Sequence, residues 1–273
     1  MEWLTSTAGV QVPRIIYGTA WKKSATQSLV VQALKHGFRG IDTACQPKHY
    51  EEPGVGAALK GFPRQDLFLQ TKYTPLSGHD PTRIPYNPQA TITEQVAQSC
   101  AISLKNLRTD YIDSLVLHSP LPSAKQTQEA WRALETLVDS GTVRQIGISN
   151  CYQLSMLDSL YERARIKPAV VQNRFYADTR FDTNIRAWCR QRQVIYQSFW
   201  TLTANPKALA STTLVELAAK YQRTAPQILF RYLTQLDVVP LTGTTSDQHM
   251  QEDLAIFEFQ LEPAELEDVT TLF

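Results

Sequence analysis

Eight short runs with the composition of β-strands recur along the chain, each separated from the next by a segment of helical periodicity. This alternation restricts the fold more than any other feature. The runs are Arg14–Thr19, Gly40–Ala44, Asp66–Lys72, Tyr111–His118, Val143–Ser149, Ala169–Gln172, Val194–Phe199 and Asp237–Leu241. Helices are predicted over Thr26–His36, Pro53–Leu59, Ile92–Leu107, Gln128–Val138, Tyr152–Ala164, Phe181–Arg192, Leu214–Tyr221, Pro226–Gln235 and Gln248–Phe257. In the first of these, Leu29, Val30, Ala33 and Leu34 share one face and Gly37 is the stop. Strands this short, joined through helices, pair in parallel by right-handed crossovers. Eight such units in 273 residues fit an α/β fold of the (β/α)8 TIM-barrel type, eight parallel strands with outer helices. An open doubly wound sheet is the alternative. No linker, charge block or low-complexity segment divides the chain, so one domain over residues 1–273 is expected.

The rest of the composition narrows the function classes. Net charge is +1 and the longest basic clusters are pairs such as Lys22-Lys23, which gives no footprint for nucleic acid. The N-terminus MEWLTSTAGV lacks a basic segment followed by an apolar one, and no run approaches the ~18 apolar residues of a membrane span. A cytoplasmic protein without membrane or nucleic-acid partners is expected. Cys45, Cys100, Cys151 and Cys189 form no C-x-x-C pair and read as reduced thiols rather than a metal site. Zinc-peptidase, serine-hydrolase and P-loop signatures are missing. The segment Tyr73–Ala90 holds four prolines and no periodicity, and reads either as a substrate-covering loop or as a surface insertion.

In a barrel of this type the site is built from residues at and just beyond the C-terminal ends of the strands. Those ends are Gly18-Thr19-Ala20-Trp21, Asp42, Lys72, His118, Ser149-Asn150, Gln172, Ser198 and Thr242-Gly243-Thr244. Asp42 and Lys72 lie on consecutive strands and can neutralise each other, which alone would be a structural ion pair. His118, Asn150 and Gln172 at the same mouth turn the reading toward a site. Tyr50, in the loop after Asp42, completes a proton-donor set: a neighbouring ammonium is expected to lower the phenol pKa, and a carboxylate to orient that ammonium.

These residues carry a family resemblance. Gly37-Phe38-Arg39-Gly40-Ile41-Asp42-Thr43-Ala44, Glu52-x-x-Val55-Gly56, Thr71-Lys72, Leu115-x-Leu117-His118-x-Pro120, Gly147-Ile148-Ser149-Asn150 and Val171-Gln172-Asn173 succeed one another in the order of aldo-keto reductase motifs. The chain resembles that family from about Val12 to Leu261. The resemblance implies an NADP-dependent oxidoreductase reducing the carbonyl of an aldehyde or ketone, a small-molecule substrate. Tyr50 is then the proton donor, Lys72 and Asp42 tune it, and His118 orients the carbonyl. Ser149, Asn150 and Gln172 hold the carboxamide. Gly18, Thr19, Asp42, Ser198, Phe199, Thr242, Gly243, Thr244, His249 and Glu252 complete the expected cofactor site.

The sequence departs from the family pattern in three places. The family tyrosine falls five residues after the aspartate, where this chain has Pro47; counting back from Glu52, the position is taken by His49, the alternative proton donor. An aromatic residue usually precedes the serine of the seventh strand, but here Gln197 does, and Phe199 or Trp200 comes after it as the stacking candidate or as core. The lysine of the family's phosphate clamp is missing and His249 stands at its arginine, so NADP is expected with NAD possible. Gly54-Val55-Gly56 lacks the third glycine of a dinucleotide fingerprint, Leu59 standing there, and reads as helix packing. Trp21, Tyr73, Tyr86, Phe175, Tyr176, Phe199 and Trp200 are the candidate pocket aromatics. Two other readings are a cofactor-binding regulatory barrel and a non-redox lyase or isomerase using the same acid–base cluster.

Overall fold

The structure, a computed structural model, describes residues 2–273. Eight strands form a closed barrel: β3 (Ile16–Gly18), β4 (Gly40–Asp42), β5 (Phe68–Tyr73), β6 (Ile112–Leu117), β7 (Val143–Ser149), β8 (Val170–Arg174), β9 (Ile195–Phe199) and β10 (Val238–Thr242). Every neighbouring pair is parallel, and β10 closes on β3 through Leu241↔Ile16 and Thr242↔Tyr17. The eight predicted runs are these eight strands, most of them trimmed by a residue or two at the ends.

Alternation along the strands separates two environments. Leu115, Leu117, Ile146, Ile148, Val171 and Tyr196 face outward and pack with Trp131 and Leu134 of α4 (Ala124–Asp139), Leu157 and Leu160 of α5 (Leu154–Arg163), and Trp188 of α6 (Thr183–Gln191). The intervening residues, among them Ser114, Gln145, Gln172 and Gln197, face the barrel interior, which is therefore unusually polar.

The other helices are α1 (Thr26–His36), α2 (Glu52–Leu59), α3 (Ile92–Leu107), α7 (Pro206–Leu209), α8 (Thr212–Tyr221), α9 (Ala225–Gln235), α10 (Asp247–Leu254) and α11 (Pro263–Thr270). Their ends obey local chemistry. Gly37 closes α1 in the left-handed region at φ 119°. Thr91 and Glu94 form a capping box on α3, and Thr224 with Gln227 forms one on α9. Gly56 lets α2 press against the end of α3: a Cβ there would lie 2.1 Å from the Asn106 carbonyl oxygen. The Gly54-Val55-Gly56 stretch thus serves helix packing.

Besides the one-turn helix α7, two features go beyond the sequence expectation. A two-stranded antiparallel hairpin, β1 (Trp3–Thr5) and β2 (Gln11–Pro13), precedes the barrel. Its Leu4, Val10 and Val12 pack on Ile16, Phe68, Ala169, Val170, Ile195 and Val239, which lie at the strand starts, so the hairpin plugs the base. The C-terminal helix α11 is the second. It is capped by Glu262 and Glu265 around Pro263, and leads into Phe273, whose ring meets those of Phe175 and Phe181 at 5.2 and 5.0 Å. The predicted helix Gln248–Phe257 is α10 succeeded by a tighter turn over Ala255–Glu258. No helix among the described residues is long and apolar enough to cross a membrane.

Candidate active site

Asp42 ends β4 and Lys72 lies near the end of β5, and the strand register sets them side by side inside the mouth. Lys72 Nζ donates to Asp42 Oδ2 at 2.5 Å and to the Thr43 carbonyl at 2.9 Å. The two side chains are only 1% and 3% exposed, so their charges depend on each other. Burial lowers the Lys72 pKa, and Asp42 opposes that shift.

The other oxygen of Asp42 belongs to an amide layer across the barrel. Asp42 Oδ1 accepts from Gln70 Nε2 at 2.8 Å and from Gln172 Nε2 at 3.0 Å. The same two amides donate to Gln197 Oε1 at 2.7 and 2.9 Å, and Gln197 Nε2 returns a bond to Gln70 Oε1 at 3.2 Å. Gln172 therefore keeps its Oε1 without a donor among the described residues. Gln70 is a site residue that the sequence reading misses; the signal for it is its position two residues before Lys72, on the same inward face.

Tyr50 closes over this pair. Lys72 Nζ lies 5.2 Å from the Tyr50 ring centroid, and the ring meets His118 edge-on at 6.0 Å. No hydrogen bond joins the phenol to Lys72, whose ammonium is directed at Asp42 and Thr43. The expectation that Lys72 lowers the phenol pKa is corrected here. Burial, then the charge of Asp42, push Tyr50 upward, because the ammonium that would oppose them is already paired. His49 is turned elsewhere: its ring packs at a 40° tilt against Trp21, 3.7 Å between centroids, and its carbonyl accepts from the Trp21 N–H at 2.7 Å.

His118 Nδ1 is 2.7 Å from Thr74 Oγ1. When the Thr74 hydroxyl donates in that bond, the imidazole proton sits on Nε2. Burial, then the charges of Lys72, His79 and His49, hold the His118 pKa well below 6.5, so the ring is neutral at pH 7. The Thr74 carbonyl in turn holds the long segment after β5, accepting from Tyr86 Oη at 2.8 Å and lying 2.9 Å from His79 Nε2. Gln46 Nε2 donates to the Gly78 carbonyl at 2.7 Å, tying that segment to the Tyr50 loop.

The remaining predicted positions form two groups. Asn150, in the left-handed region at φ 53°, donates from Nδ2 to the His118 carbonyl at 2.8 Å and to Ser149 Oγ at 3.2 Å. Thr19 Oγ1 donates to the Asp42 carbonyl at 2.9 Å. Ser198 Oγ accepts from Thr201 at 2.9 Å, and half-buried Phe199 comes next in the chain. Across the β3–β10 seam a Cβ on Gly243 would stand 3.8 Å from the Gly18 carbonyl oxygen. The Thr244 carbonyl accepts from Tyr17 Oη at 2.8 Å, and Ser246 Oγ caps α10 by accepting from the His249 N–H at 3.3 Å. Thr242 turns to Asp253, donating at 2.6 Å. Half-buried Glu252 is engaged by Gln248 at 2.7 Å, and the exposed His249 ring lies 3.5 Å from Thr244 Oγ1.

Lys22 is a second site residue missing from the sequence reading. It comes directly after Trp21 in the loop beyond β3, crosses the seam and donates to the Gly243 carbonyl. Its place immediately after a strand end is the available signal. Three candidate pocket aromatics are corrected: Tyr73, Tyr86 and Phe175 are buried in the core cluster outside the barrel. Tyr73 and Phe175 each neighbour an inward-facing residue, Lys72 and Arg174, and so point outward. Trp21 and Trp200 are exposed at the rim, at 57% and 46%.

The model of the aldo/keto reductase family matches residues 14–272. Among curated proteins, the glyoxal reductase of Bacillus subtilis is 28% identical over 249 residues, covering 91% of this chain and 83% of the relative. The NADPH-dependent alpha-keto amide reductase of Saccharomyces cerevisiae is 29% identical, covering 99% and 90%. Among solved structures, an aldo/keto reductase from Brucella melitensis superposes with a TM-score of 0.85 at 28% identity, covering 100% of this chain and 99% of that one.

Proposed function

Because the chain belongs to the aldo/keto reductase family, we propose that its mouth reduces the carbonyl of an aldehyde or ketone at the expense of a reduced nicotinamide cofactor, with Tyr50 as proton donor. The observation that carries this reading is the sealed Asp42–Lys72 pair beneath Tyr50 and a neutral His118.

The residues present fit a dinucleotide. Gln172 Oε1 awaits an N–H donor, beside Ser149 and Asn150, as a carboxamide would require. The seam between Gly18 and Gly243 is lined by backbone and carries the Lys22 ammonium, and Ser246 opens α10 next to it, which suits phosphate. Lys22 offers the charge that the Thr242–Ser246 stretch lacks, which favours NADP; the name of the yeast relative supports the same choice. NAD remains the second candidate. When bound, the cofactor supplies hydride to the carbonyl carbon.

The chain's own residues do the rest. His118 presents its Nε2–H to the carbonyl oxygen and orients it. Tyr50 delivers the phenolic proton to that oxygen as negative charge develops on it. A phenol with a raised pKa holds its proton at neutral pH and gives it up only to a strong base, which an alkoxide is. Lys72 stabilises the phenolate left behind, and Asp42 keeps Lys72 charged in a buried place. In this role the Tyr50 hydroxyl must turn toward Lys72 when the site is filled.

The test is an aldehyde and ketone panel assayed with NADPH and NADH, alongside Tyr50→Phe and His49→Asn. Tyr50→Phe is expected to keep cofactor affinity and to lose about 10²–10⁴-fold in turnover, while His49→Asn stays within a few-fold of the parent. Near-normal turnover in Tyr50→Phe removes Tyr50 from the role. A second reading, a cofactor-binding regulatory barrel, draws on the missing Tyr50–Lys72 hydrogen bond, and is supported if the parent binds cofactor tightly but reduces nothing in the panel.

A further inference from the structure

Arg174 ends β8 two residues beyond Gln172. Both side chains leave the same face of the strand, and Arg174 stands one layer nearer the opening. Its guanidinium lies over three aromatic rings at the rim. The Cζ atom is 4.2 Å from the Trp200 centroid, 5.1 Å from Tyr176 and 6.0 Å from Phe199. Such faces fix the plane of a guanidinium without neutralising it.

The contrast with the other arginines is informative. Arg14, Arg174, Arg223 and Arg231 each bury an Nε with no acceptor. Three of them meet carboxylates: Arg14 pairs with Glu2 and Asp237, Arg223 with Glu258, and Arg231 with Glu2. Among the described residues Arg174 makes no ion pair, and its side chain donates no hydrogen bond. Arg174 thus keeps an uncompensated charge, a buried Nε–H without an acceptor, and Nη donors left open for an oxyanion. Arg174 is also tied to the site below. Its backbone N–H donates to Tyr152 Oη at 3.2 Å, and that hydroxyl donates to Asn150 Oδ1 at 3.2 Å.

We propose that Arg174 is a specificity-determining residue that receives a carboxylate of the substrate, so that the preferred substrates are carbonyl compounds bearing a carboxylate: oxo acids and carboxylated aldehydes. The proposal rests on the carbonyl-reductase reading. A planar guanidinium matches a carboxylate through two parallel N–H bonds, and its seat over the Trp200 ring holds that fork at the rim before the ligand binds. A cofactor phosphate offers the same oxyanion chemistry, and the experiment separates the two sources.

The full chain, Arg174→Met and Arg174→Lys are compared on 4-carboxybenzaldehyde and on its methyl ester, a neutral aldehyde of similar shape. NADPH and NADH affinities are measured by fluorescence titration. The parent is expected to prefer the carboxylated aldehyde by tenfold or more in kcat/KM. In Arg174→Met the loss for that substrate is at least tenfold greater than for the ester and lies in KM, Arg174→Lys recovers part of it, and both cofactor Kd values stay within twofold. Equal losses on the two aldehydes, or no preference in the parent, overturn the proposal. A cofactor Kd raised tenfold assigns the oxyanion to the cofactor and overturns it as well. If the parent reduces neither aldehyde, the reductase reading fails by itself. Arg174 is then judged by equilibrium binding of the two aldehydes: carboxylate-dependent binding lost in Arg174→Met supports its role, and equal binding overturns it.

Discussion

Two buried aspartates, one at each end of the barrel, are satisfied in different ways. At the base, Asp113 accepts from Arg64 Nη2 at 2.6 Å and from the Leu69 N–H at 3.0 Å, and lies 3.4 Å from Arg144 Nη1. The two guanidinium groups sandwich the Tyr111 ring, each 4.0 Å from its centroid. Every partner there belongs to a strand start or its approach, and Arg144 is half exposed. At the mouth, Asp42 is held by Lys72, Gln70 and Gln172, all inside the barrel. The base cluster joins strand starts and its own charges are paired, while the neighbouring Ser114 and Gln145 carry unpartnered atoms sealed inside the barrel. The mouth cluster is nearly sealed, and above it stand groups with unmet capacity: Gln172 Oε1, the Tyr50 phenol and the Arg174 guanidinium. A buried charge pair alone does not mark a site; unmet groups that face the opening beside it do.

The largest effect expected from breaking this contrast is at Lys72. Lys72→Met strands Asp42 as a buried charge, which costs about 3–5 kcal/mol of stability, and removes the ammonium that the proposed proton donor needs. Urea unfolding is expected to show the stability loss, and turnover to fall by about 10²-fold or more. The double variant Asp42→Asn with Lys72→Met removes both charges. It should regain much of the stability and none of the turnover. If turnover returns with stability, the pair is structural, as at the base.

Asp113→Asn is the matched change at the other end. Its carboxylate meets Arg64 in a partly buried setting, where hydrogen bonds to a charged group contribute about 1.5–3 kcal/mol. A loss in that range is expected, with kcat/KM within twofold of the parent. A fall in kcat/KM beyond the unfolded fraction would mean that the ends of the barrel are coupled.

Asp253 sharpens the comparison through pH. Burial pushes its carboxyl up to about 6. The native state therefore holds its proton in the window between the ordinary carboxylate range and about pH 6, where the unfolded chain has lost it. Stability falls as pH rises through that window and stays lower above it. Asp253→Asn keeps an acceptor for the Thr242 hydroxyl and removes the titration. The variant is expected to be more stable than the parent at pH 8, by about 3 kcal/mol, and to match it near pH 4. Parallel stability–pH curves for the two proteins would exclude Asp253 as the source.

The strands were legible because each is a short run with strand-forming residues set off from segments of helical period, and the mouth residues because barrel topology sends strand ends to one place. The hairpin β1–β2 was not legible: no helical segment sets its two strands off, and the residues they pack on lie at the barrel strand starts, distant in sequence. Helix α11 carried its cap in Glu262, Pro263 and Glu265, but only Leu266 and Val269 mark its apolar face, too few to show a period. Tyr50 stands out as the one tyrosine in the loop after Asp42, off the family spacing, whereas its lack of a bond to Lys72 depends on where that ammonium points, which spacing does not encode. Arg174 and Lys22 belong to no motif, and what distinguishes them, a missing partner for one and a distant partner for the other, exists only in the folded chain.

The smallest expected effect separates two helix starts. Ser246 caps α10 by accepting from His249 N–H, beside the Gly243–Thr244 seam. Thr91 caps α3 by accepting from Glu94 N–H at 3.3 Å, beyond the long segment after β5. Each cap satisfies one of the first free N–H groups of its helix, so Ser246→Ala and Thr91→Ala should each cost about 1 kcal/mol. Only Ser246→Ala is expected to weaken NADPH binding as well, by a few-fold, because the hydroxyl and the N-terminus of α10 stand where the proposed phosphate site lies. Thermal unfolding and fluorescence titration on the two variants read these effects independently. Equal cofactor affinities would move the phosphate site away from α10 and leave Lys22 as its anchor.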